Sequence, residues 1–339
     1  MPLQTASPSI TLVHSTDWHL QPGNPPSRLG SYSRDILDKV KRIGGIARDY
    51  GADLLTCGGD VFNKKEPKFT THRLVAETIG VLGSLGLPVY CVVGNHDIEF
   101  DKEDTLPRQP LGVLFESGAM IRQVSQVITK EDFSIRLKGI PFAEEPELSS
   151  LVLTKEEEAM ADKHVLSLHV YATPSGGFLH AQKMHSYADL AALGYDVVLL
   201  GHYHADQGVQ RVKGPRGVCT IVNIGSLSRG DYGDENLDRV PKCCVVSLSA
   251  SGVTTEEVAV GAKPASEVFD LVKKAEVAEH SAKAAEFVAE LRRATLEEEQ
   301  KPVGTVEEEL VGLELTDVKV LKKVQGFIAS ANEILQGAK

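Results

Sequence analysis

The chain has 339 residues, 42% of them hydrophobic and 24% charged, which is typical of a globular protein rather than a disordered or fibrous one. The formal net charge of −11 argues against a protein that coats nucleic acid through bulk electrostatics, although it does not exclude a nuclease whose bound cations supply positive charge locally. The longest apolar runs are too short to span a bilayer, and the first ten residues lack the basic start and apolar stretch of a signal peptide.

Strand and helix signals alternate along the first hundred residues. Apolar residues recur at helical spacing in two segments and form short runs in three others. In chain order we predict a strand at 9–15, a helix at 36–47, a strand at 53–57, a helix at 74–82 and a strand at 88–93. This β-α-β-α-β order is typical of a mainly parallel sheet.

The middle of the chain adds further strands. Residues 119–142 alternate apolar and polar side chains, as antiparallel strands do, and a helix is predicted near 187–193. Additional strands are predicted at 165–169, 196–200, 218–224 and 242–248. Two sheets packed face to face with helices outside accommodate this number of strands, so the predicted fold class is α/β.

The character of the sequence changes at about Pro264, where the strand signals end and Ala, Glu and Lys dominate. Two amphipathic segments, 267–291 and 316–337, flank an acidic stretch. We therefore predict a main domain over residues 1–262 and a helical C-terminal extension over residues 263–339, which acts as a cap or a partner-docking region.

Side chains that can bind metals fall at the carboxyl ends of five predicted strands. They are Asp17 and His19, Asp60, Asn95 and His96, His169, and the pair His202 and His204. In open α/β sheets ligands bind at that edge, and packing alone does not explain so many ligand groups there. A mixture of oxygen and nitrogen donors without thiolate suits Mn²⁺, Fe or Zn²⁺ better than Mg²⁺ or Ca²⁺.

The motifs differ in specificity when each is taken alone. Asp-x-His at 17–19 and Gly-Gly-Asp at 58–60 also occur by chance or in ordinary turns, and a lone His169 is more often a core residue. Gly-Asn-His-Asp at 94–97 is much rarer, and Gly-His-x-His at 201–204 projects two imidazoles to one side. The order and strand context of the whole set therefore indicate a two-metal centre.

This order of motifs resembles the calcineurin-like metallophosphoesterases over roughly residues 9–255. Within that superfamily, the segments 15–20 (Ser-Thr-Asp-Trp-His-Leu), 59–62 (Gly-Asp-Val-Phe) and 223–226 (Asn-Ile-Gly-Ser) are similar to SbcD-type nuclease subunits, the bacterial relatives of double-strand-break repair nucleases. The resemblance implies a four-layer α/β/β/α sandwich in which residues 1–262 are the catalytic domain.

The resemblance also implies how the metal ligands are shared. Asp17, His19 and His204 would hold one ion, Asn95, His169 and His202 would hold the other, and Asp60 would bridge both. A shared carboxylate offsets the repulsion between two cations, of which Mn²⁺ is the first expectation and Fe or Zn²⁺ the alternatives. A hydroxide bridging the ions would attack phosphorus in line.

Further roles follow from the resemblance. His96 would contact the scissile phosphate and protonate the leaving oxygen, and Asp97 would orient the loop or the imidazole. Relatives carry an acidic residue or a histidine where this chain has Asn63, whose amide would hold the ring without a counter-charge. Trp18 is a candidate for stacking on a base and Arg229 for contacting substrate phosphate, the alternatives being a wall residue and a surface residue.

The leading hypothesis is a metal-dependent phosphodiesterase that serves as a DNA nuclease subunit. In the family that it resembles, the partner is a coiled-coil ATPase of the SbcC type, here expected to dock on the C-terminal helices, and a homodimer is also expected. The alternative is a small-molecule phosphatase or cyclic-nucleotide phosphodiesterase with the same dinuclear site.

The five cysteines bear on location. They lie mostly in apolar, strand-like runs, which favours buried reduced thiols over disulfides. We therefore expect a cytoplasmic protein that does not contact a membrane.

Overall fold

The computed structural model describes residues 8–26, 28–143, 146–179, 182–230 and 234–273, together with residues 275, 276, 279, 283, 286 and 288. Contacts divide the chain into two compact units, Met1–Lys274 and Ala275–Lys339, and the elements described below belong to the first unit. Within the described ranges, every helix is too short or too polar to cross a membrane.

The described residues form fifteen β-strands. In chain order these are β1 Ser9–Ser15, β2 Leu54–Cys57, β3 Val89–Cys91, β4 Ile121–Arg122, β5 Ser125–Lys130, β6 Phe133–Ile140, β7 Lys163–His169, β8 Ala172–Thr173, β9 Gly177–Leu179, β10 Gln182–Ser186, β11 Val197–Gly201, β12 Gly208–Gly214, β13 Gly217–Asn223, β14 Lys242–Ser249 and β15 Gly252–Ala259. The first sheet has the order β15-β14-β1-β2-β3-β4 and the second has the order β12-β13-β11-β7-β6-β5. A small third sheet has the order β8-β10-β9.

Helices connect the strands. The α-helices of the described ranges are α1 Tyr32–Asp49, α2 His72–Gly83, α3 Pro110–Glu116, α4 Lys155–Glu158, α5 Tyr187–Ala191, α6 Asp234–Leu237 and α7 Ala265–Val268. α1 forms because Ile36, Val40 and Ile43 recur at helical spacing, and all three side chains are buried. α2 is capped by Thr71, whose side chain accepts a hydrogen bond from the Leu74 backbone N–H.

The centre of each large sheet is parallel. β1, β2 and β3 pair in parallel, and β14 joins β1 in the antiparallel direction with Ser9 opposite Ser249. In the second sheet β6, β7, β11 and β13 are parallel, while β5 and β12 form antiparallel edges. The carboxyl ends of the parallel strands therefore gather at one edge of each sheet.

Three apolar layers separate the sheets and helices. Along β1, Ile10 and Leu12 pack between the two sheets against residues such as Leu137 and Leu199, whereas Val13 packs under the helices of the first sheet. A third apolar cluster lies between the second sheet and α5. These layers confirm the predicted four-layer α/β/β/α sandwich.

The carboxyl edges of the two large sheets meet. His169, the last residue of β7, donates through Nδ1 to the carbonyl oxygen of Gly58, just after β2, at 2.7 Å. On β1, His14 Nε2 lies 3.3 Å from the carbonyl oxygen of Leu200 on β11. The loops after β1, β2, β3, β7 and β11 consequently share one site.

The sequence predicts the central strands and the strands within 119–142, which include the edge strands β4 and β5, but it misses other peripheral strands. The prediction did not include the edge strands β12 and β15 or the small sheet. Strands of two or three residues, such as β8 and β9, carry no readable periodicity. The exposed and half-buried residues of β12 alternate irregularly, so they give no clear strand pattern either.

The predicted C-terminal extension falls mostly outside the described residues. Its first part, α7, is followed by Phe269, which is buried and whose backbone pairs with that of Arg28. Most of the amphipathic segments 267–291 and 316–337 is not described. The division at residues 262 and 263 and the docking role of the extension remain predictions.

Candidate active site

The loops that carry the metal-capable residues have an unusual backbone. Asp17, His19, Asp60 and His202 have positive φ angles of 53°, 50°, 53° and 90°. Non-glycine residues in this region cost about 1–3 kcal/mol each and persist where the surroundings hold them. Here backbone hydrogen bonds join the loops, from Asp17 N to Gly59 O at 3.1 Å and from His19 N to Asp60 O at 2.9 Å.

Glycine at position 59 allows the loops to approach closely. Gly59 has a φ of +99°, and a Cβ there would lie 2.7 Å from His169 Nδ1 and 2.9 Å from the backbone nitrogen of Gly94. A side chain would therefore push apart the loops that follow β2, β3 and β7.

Asp17, His19 and His204 form the first group of candidate metal ligands. The Nε2 atoms of His19 and His204 lie 3.8 and 3.7 Å from Asp17 Oδ1, and they lie 2.9 Å from each other. Asp17 and His19 are buried, whereas His204 is exposed.

Asp60, His169 and His202 form the second group. His169 Nε2 lies 3.4 Å from Asp60 Oδ2 and 3.1 Å from Asn95 Oδ1, which brings the carboxamide into this group. Asp60 Oδ2 also lies 3.7 Å from His19 Nε2. One carboxylate thus touches both groups.

These residues fit two divalent cations. His202 Nε2 is buried and has no hydrogen-bond partner, which is costly for a polar atom unless a ligand occupies the space beside it. Imidazole nitrogens and carboxylate oxygens converge in both groups, and no thiolate is among them. That donor set suits Mn²⁺, Fe or Zn²⁺.

The electrostatics of the site balance two buried carboxylates against the imidazoles. Burial raises the pKa of Asp17. Burial would also raise the pKa of Asp60, but His169, then His19 and His96, outweigh it, and the net pKa is lowered. Burial opposes protonation of His169, yet Asp60 raises its pKa to about 10. In the metal-free protein, protonated His169 therefore compensates the negative charge of Asp60. A bound cation would compensate that charge instead.

His96 forms a third group of candidate ligand atoms with His19 and Asp60, although it is not a member of the predicted ligand set. Its backbone N–H donates to Asp60 Oδ1 at 2.8 Å, and its ring stands edge-on to that of His19 with centroids 4.9 Å apart. Its Nδ1 donates to the backbone carbonyl oxygen of Asn63 at 2.7 Å. A carbonyl only accepts, so Nδ1 carries the proton and Nε2 is the atom left for chemistry.

A sequence model of the calcineurin-like phosphoesterases matches residues 10–206, more than half of the chain. The chain belongs to this family. It is 22% identical over 233 residues to the double-strand break repair protein MRE11 of Encephalitozoon cuniculi, an alignment that covers 58% of this chain and 38% of that protein. It is 26% identical over 113 residues to a probable cyclic nucleotide phosphodiesterase of Psychrobacter arcticus, covering 31% of this chain and 37% of that protein. The chain thus spans less than two fifths of the length of either relative.

Solved structures agree on the fold. The calcineurin-like phosphoesterase YfkN of Bacillus subtilis superposes with a TM-score of 0.50 and 11% identity, covering 76% of this chain and 94% of that one. A putative 5'-nucleotidase of Staphylococcus aureus superposes with a TM-score of 0.50 and 15% identity, covering 76% of this chain and 55% of that one. At these identities the likeness concerns the fold alone.

Asn63 makes different contacts from those expected. Its side-chain amide donates to Gln21 Oε1 and not to the His96 ring, which is held by the Asn63 backbone carbonyl. The expectation that the amide orients the imidazole is corrected, because the backbone already supplies the acceptor. The residue type at position 63 therefore matters less than the path of its backbone.

Asp97 orients loops. Its buried carboxylate accepts hydrogen bonds from the backbone nitrogens of Asp60 at 2.8 Å, Gly94 at 2.9 Å and Val61 at 3.1 Å. These bonds tie the loop after β2 to the loop after β3. Of the two expected alternatives, the contacts favour the loop over the imidazole.

Trp18 and Arg229 are buried and make contacts within the protein. Trp18 is 2% exposed in the core under α1, with Nε1 donating to Ser15 Oγ at 3.0 Å. Arg229 is 3% exposed and donates to the backbone carbonyls of Asn236 and Lys263 at 2.7 and 2.8 Å. Trp18 was expected to stack on a base and Arg229 to contact a phosphate. Both expectations are corrected, because the two side chains stabilise the fold through contacts with the protein itself.

Three side chains at the site were not expected. The Tyr171 ring lies 3.8 Å from that of His202 and the Phe142 ring 5.4 Å from it, so the two form an aromatic wall. Ser226 Oγ donates to the backbone oxygen of Asp17 at 2.7 Å. The position of Tyr171, two residues after His169, is the only sequence signal that we find for the wall.

Proposed function

We propose that this chain is a metal-dependent phosphodiesterase that acts on nucleic acid as a DNA nuclease subunit. The observation that carries the proposal is the pair of ligand groups joined by Asp60, with His96 beside them. Membership of the calcineurin-like phosphoesterases supports hydrolysis of a phosphoric ester.

In this proposal Asp17, His19 and His204 would hold one cation, Asn95, His169 and His202 would hold the other, and Asp60 would contribute to both. Two bound Mn²⁺ ions would supply positive charge to the phosphoryl group and acidify water at neutral pH. Fe or Zn²⁺ would suit the same donors.

His96 is the proposed general acid. Asn63 O holds the Nδ1 proton, so the protonated ring presents Nε2–H to a leaving oxygen and returns to the neutral tautomer after giving up that proton. The Asp60 carboxylate, which accepts from the His96 backbone, keeps the imidazole at the rim of the ligand groups.

The cleft beside the site favours a nucleotide-sized substrate. It has a volume of about 480 Å³ and is lined by His19, His96 and His204 together with Asn63 and Lys64, among others. Lys64 is exposed and brings positive charge to the mouth of the cleft in a chain whose net charge is −11. Such a lysine attracts the phosphates of a polyanionic substrate.

Two relatives suggest different substrates. The similarity to a double-strand break repair protein extends over 58% of this chain, which favours nucleic acid. The similarity to a probable cyclic nucleotide phosphodiesterase extends over 31%, and it keeps a small cyclic diester as the second candidate. If the protein is a nuclease subunit, its proposed partner is a coiled-coil ATPase that docks on 267–291 and 316–337. A homodimer is proposed for the same case.

A substrate panel with Mn²⁺ tests the choice. Single- and double-stranded DNA would be compared with a 3',5'-cyclic nucleotide and with aryl phosphate mono- and diesters. We expect cleavage of DNA and of the aryl diester, with slower turnover of the monoester. Rapid turnover of the cyclic nucleotide or the monoester with inert DNA would reject the nuclease and favour the second candidate.

A further inference from the structure

A small cavity rich in basic side chains lies between α1 and the segment 261–268, separate from the cleft at the ligand groups. Its volume is about 160 Å³, which exceeds several times the share of about 30 Å³ that a water molecule takes in the liquid. The basic residues that line it are Arg28, Lys39, Arg42, Arg229 and Lys263. Asp35 and Asp38 are its only acidic lining residues within the described part of the chain.

Two buried guanidinium groups of this cavity contact the same aromatic ring. The guanidinium carbons of Arg28 and Arg229 lie 5.5 and 5.3 Å from the centroid of the same Phe269 ring. The side chain of Arg28 is 2% exposed and Arg229 is 3% exposed. Burial, and then the charge of Arg28, lower the pKa of Arg229, so these buried like charges are unfavourable unless negative charge lies beside them.

The carboxylates of the cavity neutralise only part of its positive charge. Asp35 pairs with Arg28 Nη2 at 3.0 Å and with Lys263 Nζ at 3.0 Å, so one carboxylate serves two cations. Asp38 is half exposed and pairs with Lys41, which does not line this cavity. Arg229 donates to main-chain carbonyls; the charge of Asp238 stabilises it from a distance, but no ion pair of Arg229 is found among the described residues.

A buried donor and a half-buried donor of the cavity have N–H groups without a hydrogen-bond partner. The Nε–H of Arg28 is buried and has no hydrogen-bond partner. Lys39 Nζ donates to the carbonyl oxygen of Leu227 at 2.8 Å, which uses one of its three N–H bonds. Burial, and then Arg28, Arg239 and Arg229, lower the pKa of Lys39 to about 7. An anion beside Lys39 would keep this amine charged.

We propose that this cavity is a binding site for one tetrahedral oxyanion of phosphate chemistry, distinct from the metal centre. Arg28 and Lys39 donate to the anion from the inside, and the exposed Arg42 and Lys263 close over it at the rim. Charge-assisted hydrogen bonds from guanidinium and ammonium groups suit phosphate oxygens, and the volume admits one such group. The phosphate is either free inorganic phosphate or one phosphate of a nucleotide or nucleic acid.

Isothermal titration of inorganic phosphate into the full chain with bound Mn²⁺ tests the site. Phosphate can also bind at the metal centre, so the test compares wild type with Lys39→Met and Arg42→Gln, which change the cavity alone. We expect two classes of phosphate site in wild type, one of them weakened about tenfold or more in each variant. Lys41→Met, on the same helix outside the cavity, should bind phosphate as wild type does.

A second arm distinguishes the source of the phosphate. Fluorescence anisotropy would measure binding of a labelled single-stranded oligonucleotide to the same proteins. Weaker oligonucleotide binding in both cavity variants, with no separate site for free phosphate, supports a nucleic-acid phosphate as the ligand. If the cavity variants bind both probes with the stoichiometry and affinity of wild type, the proposal is wrong. Arg42 lies at the exposed rim, so we expect Arg42→Gln to fold. Its result tests the proposal even if Lys39→Met fails to fold.

Discussion

Asp60 connects more of the candidate site than any other side chain described above. Its Oδ2 lies 3.7 Å from His19 Nε2 in the first ligand group and 3.4 Å from His169 Nε2 in the second, while Oδ1 accepts from the His96 backbone. Its own backbone nitrogen donates to Asp97. One residue thus links both proposed cations to the proposed general acid.

Replacing His96 separates catalysis from metal binding. We predict that His96→Ala lowers kcat by about 10²- to 10⁴-fold because the leaving oxygen loses its proton donor. The variant should retain two Mn²⁺ per chain, as measured by elemental analysis after gel filtration. His72→Ala, an exposed histidine at the start of α2, is the matched control and should behave as wild type. Loss of one ion in His96→Ala would instead make His96 a ligand.

Replacing the side chain of Asn63 should have little effect. The His96 ring is held by the Asn63 backbone carbonyl, so Asn63→Ala leaves that hydrogen bond in place. We expect kcat within about threefold of wild type and the same pH–rate profile, because the half-buried amide bonds Gln21 and not the imidazole. A loss comparable to that of His96→Ala would show that the amide itself acts on the imidazole.

At the scale of elements, the site depends on short loops that leave parallel strands at a common edge. Four of the proposed ligands have positive φ angles, and hydrogen bonds between loops hold them there. Asp97 adds a carboxylate that ties the loop after β2 to the loop after β3. The ligand geometry is therefore built by loop–loop contacts as much as by the strands.

Gly59→Ala tests this dependence on close packing. The added Cβ would clash with His169 Nδ1 and with Gly94 N, and position 59 has a positive φ. We expect a loss of unfolding free energy of about 1–3 kcal/mol and weaker Mn²⁺ binding. Both would be measured by urea unfolding and by metal titration.

Gly80→Ala is the control for that substitution. Gly80 lies inside α2, and a Cβ there would meet nothing within 4 Å. Alanine should stabilise the helix by about 0.5–1 kcal/mol and leave the metal affinity unchanged. Equal effects of the two alanines would contradict the role assigned to Gly59.

At the scale of the whole molecule, two sheets share one buried interface, and His14 is part of it. The His14 side chain is completely buried; Nε2–H donates to Leu200 O at 3.3 Å and Nδ1 accepts from Thr56 Oγ1 at 3.0 Å. Burial, opposed by the Leu200 hydrogen bond, lowers the pKa of His14 from 6.5 to about 4. The folded protein therefore keeps this histidine neutral.

The neutral His14 makes stability depend on pH. Below pH 6.5 the unfolded chain binds a proton at this residue that the folded chain refuses until about pH 4, so stability is lost as pH falls through that window. At pH 4.5 the loss is about 2–3 kcal/mol relative to pH 7. His14→Gln should show a correspondingly smaller drop in unfolding free energy, and the exposed control His72→Gln should follow wild type. Parallel pH curves for wild type and His14→Gln would refute this role.

Sequence patterns predicted the arrangement of the sandwich and brought the metal-capable residues to one edge, because parallel strands place their carboxyl ends together. They did not predict which oxygen of Asn63 accepts the hydrogen bond from His96, because the side-chain amide and the backbone carbonyl can both act as acceptors. The burial of Arg229 depends on Phe269, forty residues later, and that contact leaves no local signal. In the sequence His14 lies within an apolar strand, and nothing local predicts its contact with Leu200 of the second sheet.

The central claim is that one chain holds two cations that share Asp60. Anomalous diffraction at the manganese edge from crystals grown with Mn²⁺ measures this directly. We predict two peaks about 3.5–4 Å apart, one among Asp17, His19 and His204 and the other among Asn95, His169 and His202. A single peak, or peaks away from Asp60, would contradict the account.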